Sequence, residues 1–390
     1  MKLDQIEAFF VRLPLNKPFT TAAGAIEHCD TVLVRLESGG VSGWGEATPG
    51  NGPYTTGEWS HGTFLALTET LLPILEAAGG IESGEKLAEI FQSVKGNRHA
   101  KGAVDMAWWD LKAKIDGKPL WESLGGKKRP IPLGLTFDRY PMTERERFFA
   151  DLERAKNDHF RRISLKLRPG WEVEAVRAAR DSCPSPIQLQ IDAEGALDPD
   201  RHSDMLYRLQ DFLPTLFEQP FDPMEYVGHA MLAESLRTPI CLDESIGSPI
   251  QADIAADLGS CRVFCLKPGQ VGGLTAGKAI HDSAQSERIA CYAGMELTGS
   301  IGYRHLLALA SLEGFTYPAD YIRFEEVFAD EPGEPILPVL SVFPKKEGDE
   351  AAKSETYLAA ELWNEPGIGF EPKSEMIEKY AITHFSIKNR

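Results

Sequence analysis

The sequence predicts an α/β protein: a (β/α) TIM-like barrel carrying an α+β capping domain formed by the N-terminal segment and the C-terminal residues. Three observations point there. A chain of 390 residues exceeds the size at which one hydrophobic core keeps growing. Its first 60 residues read as antiparallel strands, and from about residue 130 short apolar runs alternate with helical segments.

Taken in order, TVLVRLE and VSGWGEA are strand-like runs joined through Ser38-Gly39-Gly40. From Glu58 to Leu124 the pattern turns helical, and AKGAVDMAWWDLKAKIDGKPLWESLGG sets Val104, Ala107, Trp108 and Leu111 on one helical face before Gly125-Gly126 ends the stretch. Trp108 and Trp109 are read as core, since aromatic side chains in an amphipathic helix bury large areas. The next runs are IPLGLTF (131–137), ISLKLR (163–168), IQLQID (187–192), LFEQP (216–220), PICLDE (239–244), VFCLK (263–267) and IACYA (289–293). Their near-continuous hydrophobicity suits parallel strands covered on both faces. Seven or eight such units make a barrel; an open doubly wound sheet shares the alternation and is the competing fold. No GxGxxG or P-loop pattern follows any run, which removes the dinucleotide and nucleotide readings. After residue 320 the rhythm fades, and the Pro-, Gly- and charge-rich stretch 331–355 is expected to be an extended surface insertion. The predicted division is a capping domain at 1–126, a barrel at 127–320 and a returning segment at 321–390.

The net charge of −17 disfavours non-specific binding to a phosphate backbone, so no nucleic-acid partner is expected. No apolar stretch approaches membrane-spanning length, and the start MKLDQIEAFFVRL lacks the apolar core of a signal peptide, so the expected location is the cytoplasm. Cys29, Cys183, Cys241, Cys261, Cys265 and Cys291 are scattered without a CxxC and are expected to be buried free thiols.

In a barrel of this kind, side chains that do chemistry sit at the C-terminal ends of strands. Five runs close with an ionisable residue: Lys166, Asp192, Glu218, Asp243 and Lys267, separated by 26, 26, 25 and 24 residues. Each step is one βα unit, so the five groups should point into one mouth. Three converging carboxylates repel unless a cation joins them. Oxygen ligands without His or Cys select Mg²⁺, with Mn²⁺ able to substitute. Lys166 and Lys267 would flank that ion, and a lysine acting as a base needs burial or a neighbouring cation to lower its pKa from about 10.4.

These residues, with WGEATPGNGPYTTGE, AKGAVDMAWWDL, SLKLRPGWEVEAVRAAR, QIDAEGA, FEQP, CLDESI, CLKPGQVGGLTAG, GMELTGSIG and PGIGFE, resemble the enolase superfamily over nearly the whole chain. Within it, the chain is most similar to the muconate cycloisomerase subgroup and its o-succinylbenzoate synthase and N-acylamino acid racemase members. The resemblance implies Lys166 and Lys267 as the acid/base pair, Asp192, Glu218 and Asp243 as Mg²⁺ ligands, and Glu244 as a group orienting Lys267 or a ligand. It makes Phe19–Ile26, with Thr20 and Gly24, a loop closing over substrate, and places Thr298 and Gly299, in what is taken as the eighth-strand segment, near substrate.

Several positions depart from the family pattern. Ser164 stands where a first lysine of Lys-x-Lys is usual, which leaves Lys166 less acidified. Glu194 replaces the Asn of a DAN motif, Thr298 precedes the Gly-rich turn where Glu is common, and Gln270 occupies a position where good racemases often carry Arg. The implied reaction is Mg²⁺-dependent removal of a proton next to a carboxylate through an enediolate, with dehydration to o-succinylbenzoate in menaquinone synthesis leading. The alternatives are N-acylamino acid racemisation, a muconate cycloisomerase or dipeptide epimerase-like activity, and a retired barrel that only binds. The expected partners are a small-molecule carboxylate and, for assembly, further copies of the chain.

Overall fold

The computed structural model describes residues 1–390 apart from 22–23, 55, 138–143, 168–171, 344–353 and 389–390, and apart from the side chains of residues 20 and 21. The strands are, in chain order, β1 (Gln5–Thr21), β2 (Gly24–Ser38), β3 (Val41–Ala47), β4 (Ile131–Phe137) and β5 (Arg162–Lys166). They continue with β6 (Gln188–Asp192), β7 (Leu216–Glu218), β8 (Ile240–Leu242), β9 (Val263–Leu266) and β10 (Ala290–Ala293). The last four are β11 (Ala319–Tyr321), β12 (Val339–Phe343), β13 (Glu355–Ala360) and β14 (Ala381–Lys388).

The N-terminal sheet is antiparallel in the order β14-β1-β2-β3, so the chain's C-terminal strand closes the sheet that its first strand opened. One face of this sheet is covered by the helix Arg98–Ile115, which buries Val104, Ala107, Trp108 and Leu111 together. Contact there is set by two glycines of β3. A Cβ on Gly43 would lie 2.3 Å from the Ala107 carbonyl oxygen, and one on Gly45 would lie 2.1 Å from that of Ala103. The GxG in VSGWGEA therefore lets helix backbone rest directly on strand backbone. Trp109 is only partly buried and donates its indole N–H to Thr275 Oγ1 at 2.9 Å, tying this helix to the barrel.

Strands β4 to β10 form a parallel sheet in sequence order, and β11 pairs parallel with β4 to bring the eighth strand beside the first. The barrel's eighth strand is thus Ala319–Tyr321. The segment 294–302, read from sequence as the eighth strand, is instead the loop after β10 and the start of the helix Ser300–Ala310. Gly-rich, polar GMELTGSIG lacks the apolar run a buried strand needs, whereas β11 is too short to stand out. Prolines and capping side chains time the intervening helices: Asp198 accepts from the amides of Asp200 and Arg201 before Pro199, and Ser248 accepts from Gln251 before Pro249.

The stretch expected to be an extended insertion forms a hairpin where it is described. Strand β12 pairs antiparallel with β13, and β13 pairs with the start of β4. Part of 321–390 therefore pairs with the barrel sheet, while Phe328 bridges Leu15 of β1 and β14 joins the N-terminal sheet. All six cysteines are free and buried. Among the described residues, no helix is long and apolar enough to cross a membrane.

The glycine contacts carry a stability prediction. Gly45→Ala should lower unfolding free energy by about 1–3 kcal/mol or more, because helix backbone cannot yield to the added methyl. Gly57→Ala, which meets nothing within 4 Å, should stay within about 0.5 kcal/mol of the parent. Urea midpoints of the two variants give the comparison, and an unperturbed Gly45→Ala would rule out this packing.

Candidate active site

Strand register builds the site. Lys166 pairs with Asp192 and Asp192 with Glu218, so the ends of β5, β6 and β7 stand level. Asp243 and Lys267 follow immediately after β8 and β9. All five line one cavity of about 410 Å³ at the barrel mouth, roofed by Phe19, Ile26 and Pro49 of the capping domain and by Leu297.

Two residues with left-handed backbone shape the strand ends. Gln219 (φ 35°) is fully buried, and its Oε1 accepts from the amides of Asp243 and Ser245 at 2.9 and 3.2 Å while its Nε2 donates to Ser245 Oγ at 2.8 Å. That side chain locks the end of β7 to the turn that presents Asp243, and such a φ in a non-glycine residue is tolerated because the contacts around it over-determine it. Glu194 (φ 48°) donates its amide to Asp192 Oδ1 at 2.9 Å and turns its carboxylate onto the Lys166 ammonium.

Lys166 also lies 3.8 Å from Asp192 Oδ2, and Lys267 donates to Asp243 Oδ2 at 2.5 Å. Burial pulls both ammonium groups toward the neutral form, but the adjacent carboxylates outweigh it and raise both pKa values above the ordinary range.

Eight carboxylates line the cavity. Three have cations of their own: Asp30 pairs with Arg12 at 2.7 Å, Asp320 with Arg162, and Glu296 with His99 at 2.6 Å. The remaining five, Asp192, Glu194, Glu218, Asp243 and Glu244, face the two lining lysines, Lys166 and Lys267. Burial first, and then mutual repulsion, pushes Asp192 up to about 7 and Glu244 up to about 8, and moves Glu218 well above the carboxylate range. Protonating buried carboxylates is one way to relieve such crowding; a divalent cation is the other. Carboxylate oxygens are the donors a hard cation takes. Ligand atoms of Glu218, Asp243 and Cys265 all lie within 4.8 Å of one another, while the Asp192 carboxylate is turned toward Lys166 and the Glu194 amide.

The other expected residues fall as follows. Gln270 is buried and donates to the Asp243 carbonyl at 2.8 Å and to Asp243 Oδ1 at 3.2 Å. Glu244 lines the cavity, but its Oε2 is buried without a hydrogen-bond partner among the described residues, so it does not orient Lys267 through that atom. Ser164 is 1% exposed, two residues before Lys166 on β5, with no partner for its Oγ among the described residues. Gly24 lines the cavity, whereas the side chain of Thr20 lies outside the described residues.

Thr298 and Gly299 do not line it. The amides of Gly299 and Gly302 donate to Glu46 of β3 at 2.9 and 2.7 Å, which draws this turn to the capping domain and leaves Met295, Glu296 and Leu297 on the cavity wall. Residue-by-residue reasoning also missed Tyr292, Asp320 and the His99–Glu296 pair. Tyr292 hides inside an apolar run, and His99 is far from any strand end. Burial alone would discharge His99, but Glu296 and Glu58 raise it to about 9, which favours the imidazolium form, and its Nε2 meets Glu296 at 2.6 Å across the two domains.

This architecture, a (β/α)-barrel enzyme whose acidic mouth is roofed by a capping domain, has relatives along its whole length. Residues 147–376 match the family described as enolase C-terminal domain-like, and residues 5–125 match the mandelate racemase / muconate lactonizing enzyme N-terminal domain. The chain belongs to the enolase superfamily. It is 37% identical, over 80% of this chain and 82% of the relative, to an o-succinylbenzoate synthase of Geobacillus stearothermophilus. To an N-succinylamino acid racemase of Amycolatopsis sp it is 32% identical, over 97% of each chain. Among solved structures, an enolase superfamily member from Listeria innocua superposes with a TM-score of 0.87 at 28% identity, covering 100% of this chain and 99% of that one. Enzymes of the superfamily use a divalent metal.

A divalent cation should therefore bind the folded chain and stabilise it. Mg²⁺ at a hundred times its Kd should add about 2.7 kcal/mol to the chelator-treated protein. Asp243→Asn should lose that gain. Thermal unfolding with and without Mg²⁺ measures both, and a midpoint indifferent to Mg²⁺ in the parent would contradict the reading of the carboxylates.

Proposed function

We propose that the protein is an o-succinylbenzoate synthase, a lyase that removes water from a cyclohexadiene carboxylate on the route to menaquinone. The observation carrying this is the pair of lysines on opposite sides of the carboxylate cluster, Lys166 closing β5 and Lys267 following β9, in a chain that matches synthases over most of its length.

Asp192, Glu218 and Asp243 would hold Mg²⁺. Cys265 sits as close to Glu218 and Asp243 as a ligand would, but a hard cation selects oxygen over a thiol, so Asp192 is the third donor. When bound, the ion supplies positive charge beside the substrate carboxylate and the enediolate formed from it. Lys166, once neutral, takes the proton from the carbon next to the carboxylate. The hydroxyl on the neighbouring carbon then leaves with that proton as water, and the carbon–carbon double bond forms. Lys267 stays an ammonium and supports the enediolate through its charge. Neutral Gln270, bonded to Asp243, adds no cation that would drive Lys267 toward its neutral form. Phe19, Ile26, Pro49 and Leu297 give the cavity an apolar wall beside the reacting carbon.

The second reading is N-acylamino acid racemisation, favoured by the 97% coverage of the Amycolatopsis racemase. It needs each lysine to alternate between base and acid. Dehydration should exceed racemisation when o-succinylbenzoate formation is measured beside deuterium exchange of each enantiomer of an N-succinylamino acid in D₂O. Fast exchange of both enantiomers with little o-succinylbenzoate would assign the protein to the racemases.

A further inference from the structure

Several buried polar groups of the barrel strands converge on Glu218. Tyr292 of β10 is 1% exposed and donates its hydroxyl to Glu218 Oε1 at 2.5 Å. Gln190 of β6, also 1% exposed, donates its amide to the other oxygen, Glu218 Oε2. Both carboxylate oxygens are thus held by buried donors from the neighbouring strands, Tyr292 at the cavity wall and Gln190 behind it. Under them lies Arg162, fully buried, with its guanidinium carbon 4.7 Å from the centre of the Tyr292 ring and its Nη2 paired with Asp320. Asp320 is itself fixed by the Met295 amide at 3.0 Å and by Thr136 Oγ1 at 3.3 Å. The cradle for Arg162 comes from its register partner in β4: a Cβ on Gly134 would fall 2.5 Å from Arg162 Nε.

We propose that Tyr292 and Gln190 are positioning residues that orient Glu218 for the divalent cation, with Arg162 holding and polarising Tyr292 from beneath. A carboxylate with both oxygens anchored cannot rotate, so the lone pairs left facing the cavity point in fixed directions. A cation over the ring face draws electron density from the phenol and strengthens its O–H as a donor. Groups in this position around metal sites commonly change metal affinity about 10–100-fold when removed. The inference rests on the proposed role of Glu218 as a metal ligand.

The test is calorimetric titration of the full-length protein with Mg²⁺, comparing the parent with Tyr292→Phe and Gln190→Met. Tyr292→Phe keeps the ring over Arg162 and removes only the hydroxyl. Its Kd for Mg²⁺ should rise about tenfold or more, and the Mg²⁺ concentration giving half-maximal turnover should rise by the same factor. Gln190→Met should weaken binding in the same direction, which keeps the test open should one variant fold poorly by circular dichroism. Folded variants that bind Mg²⁺ as tightly as the parent overturn this inference alone. A parent that binds no Mg²⁺ overturns the proposed function instead.

Discussion

Like charges gathered in a poorly hydrated site repel by several kcal/mol unless something of opposite sign joins them, and most of this structure follows from that constraint. Parallel strands in register bring Lys166, Asp192 and Glu218 to one level and Asp243 and Lys267 just beyond. Each outer carboxylate of the cavity has a basic partner in Arg12, Arg162 or His99, whereas the five inner ones face only the two lining lysines. The barrel interior serves the same cluster: Tyr292 and Gln190 both donate to Glu218, and Arg162, given room by Gly134, packs on the Tyr292 ring.

The capping domain is coupled to this centre by carboxylates as well. Glu46 reaches from β3 to the amides that open the helix Ser300–Ala310, where the helix dipole and unpaired N–H groups favour a negative charge. Glu58 does the same at the start of Arg98–Ile115, and His99 in that first turn grips Glu296 on the cavity wall. The roof and the mouth are therefore joined by polar contacts at two helix N-termini.

Much of this was legible in sequence because strand ends recur at a fixed spacing: one βα unit separates each of the five charged residues, so their phase survives without coordinates. The antiparallel sheet was legible for a different reason, two strand-like runs joined by the Ser38-Gly39-Gly40 turn. What escaped has other causes. The eighth strand is three residues long and carries Asp320, so it shows neither length nor apolar continuity. Thr298 and Gly299 were drawn toward substrate by motif position, yet Glu46, more than 250 residues earlier in sequence, decides where their turn lies. Tyr292 resembles core in any one-dimensional reading, because only packing against Arg162 and Glu218 reveals its hydroxyl's task. The substitutions Ser164 and Glu194 were visible, and their effect on Lys166 is a shift of charge balance: no second lysine adjoins it on β5, while an acid contacts its ammonium.

The central claim is that one divalent cation sits among Asp192, Glu218 and Asp243, between the two lysines. Anomalous diffraction from crystals of the protein grown with Mn²⁺ tests it directly. The account predicts a single manganese peak bonded to oxygens of all three carboxylates. A peak seated on Cys265 with Asp192 left out, or no peak among these carboxylates, would contradict it.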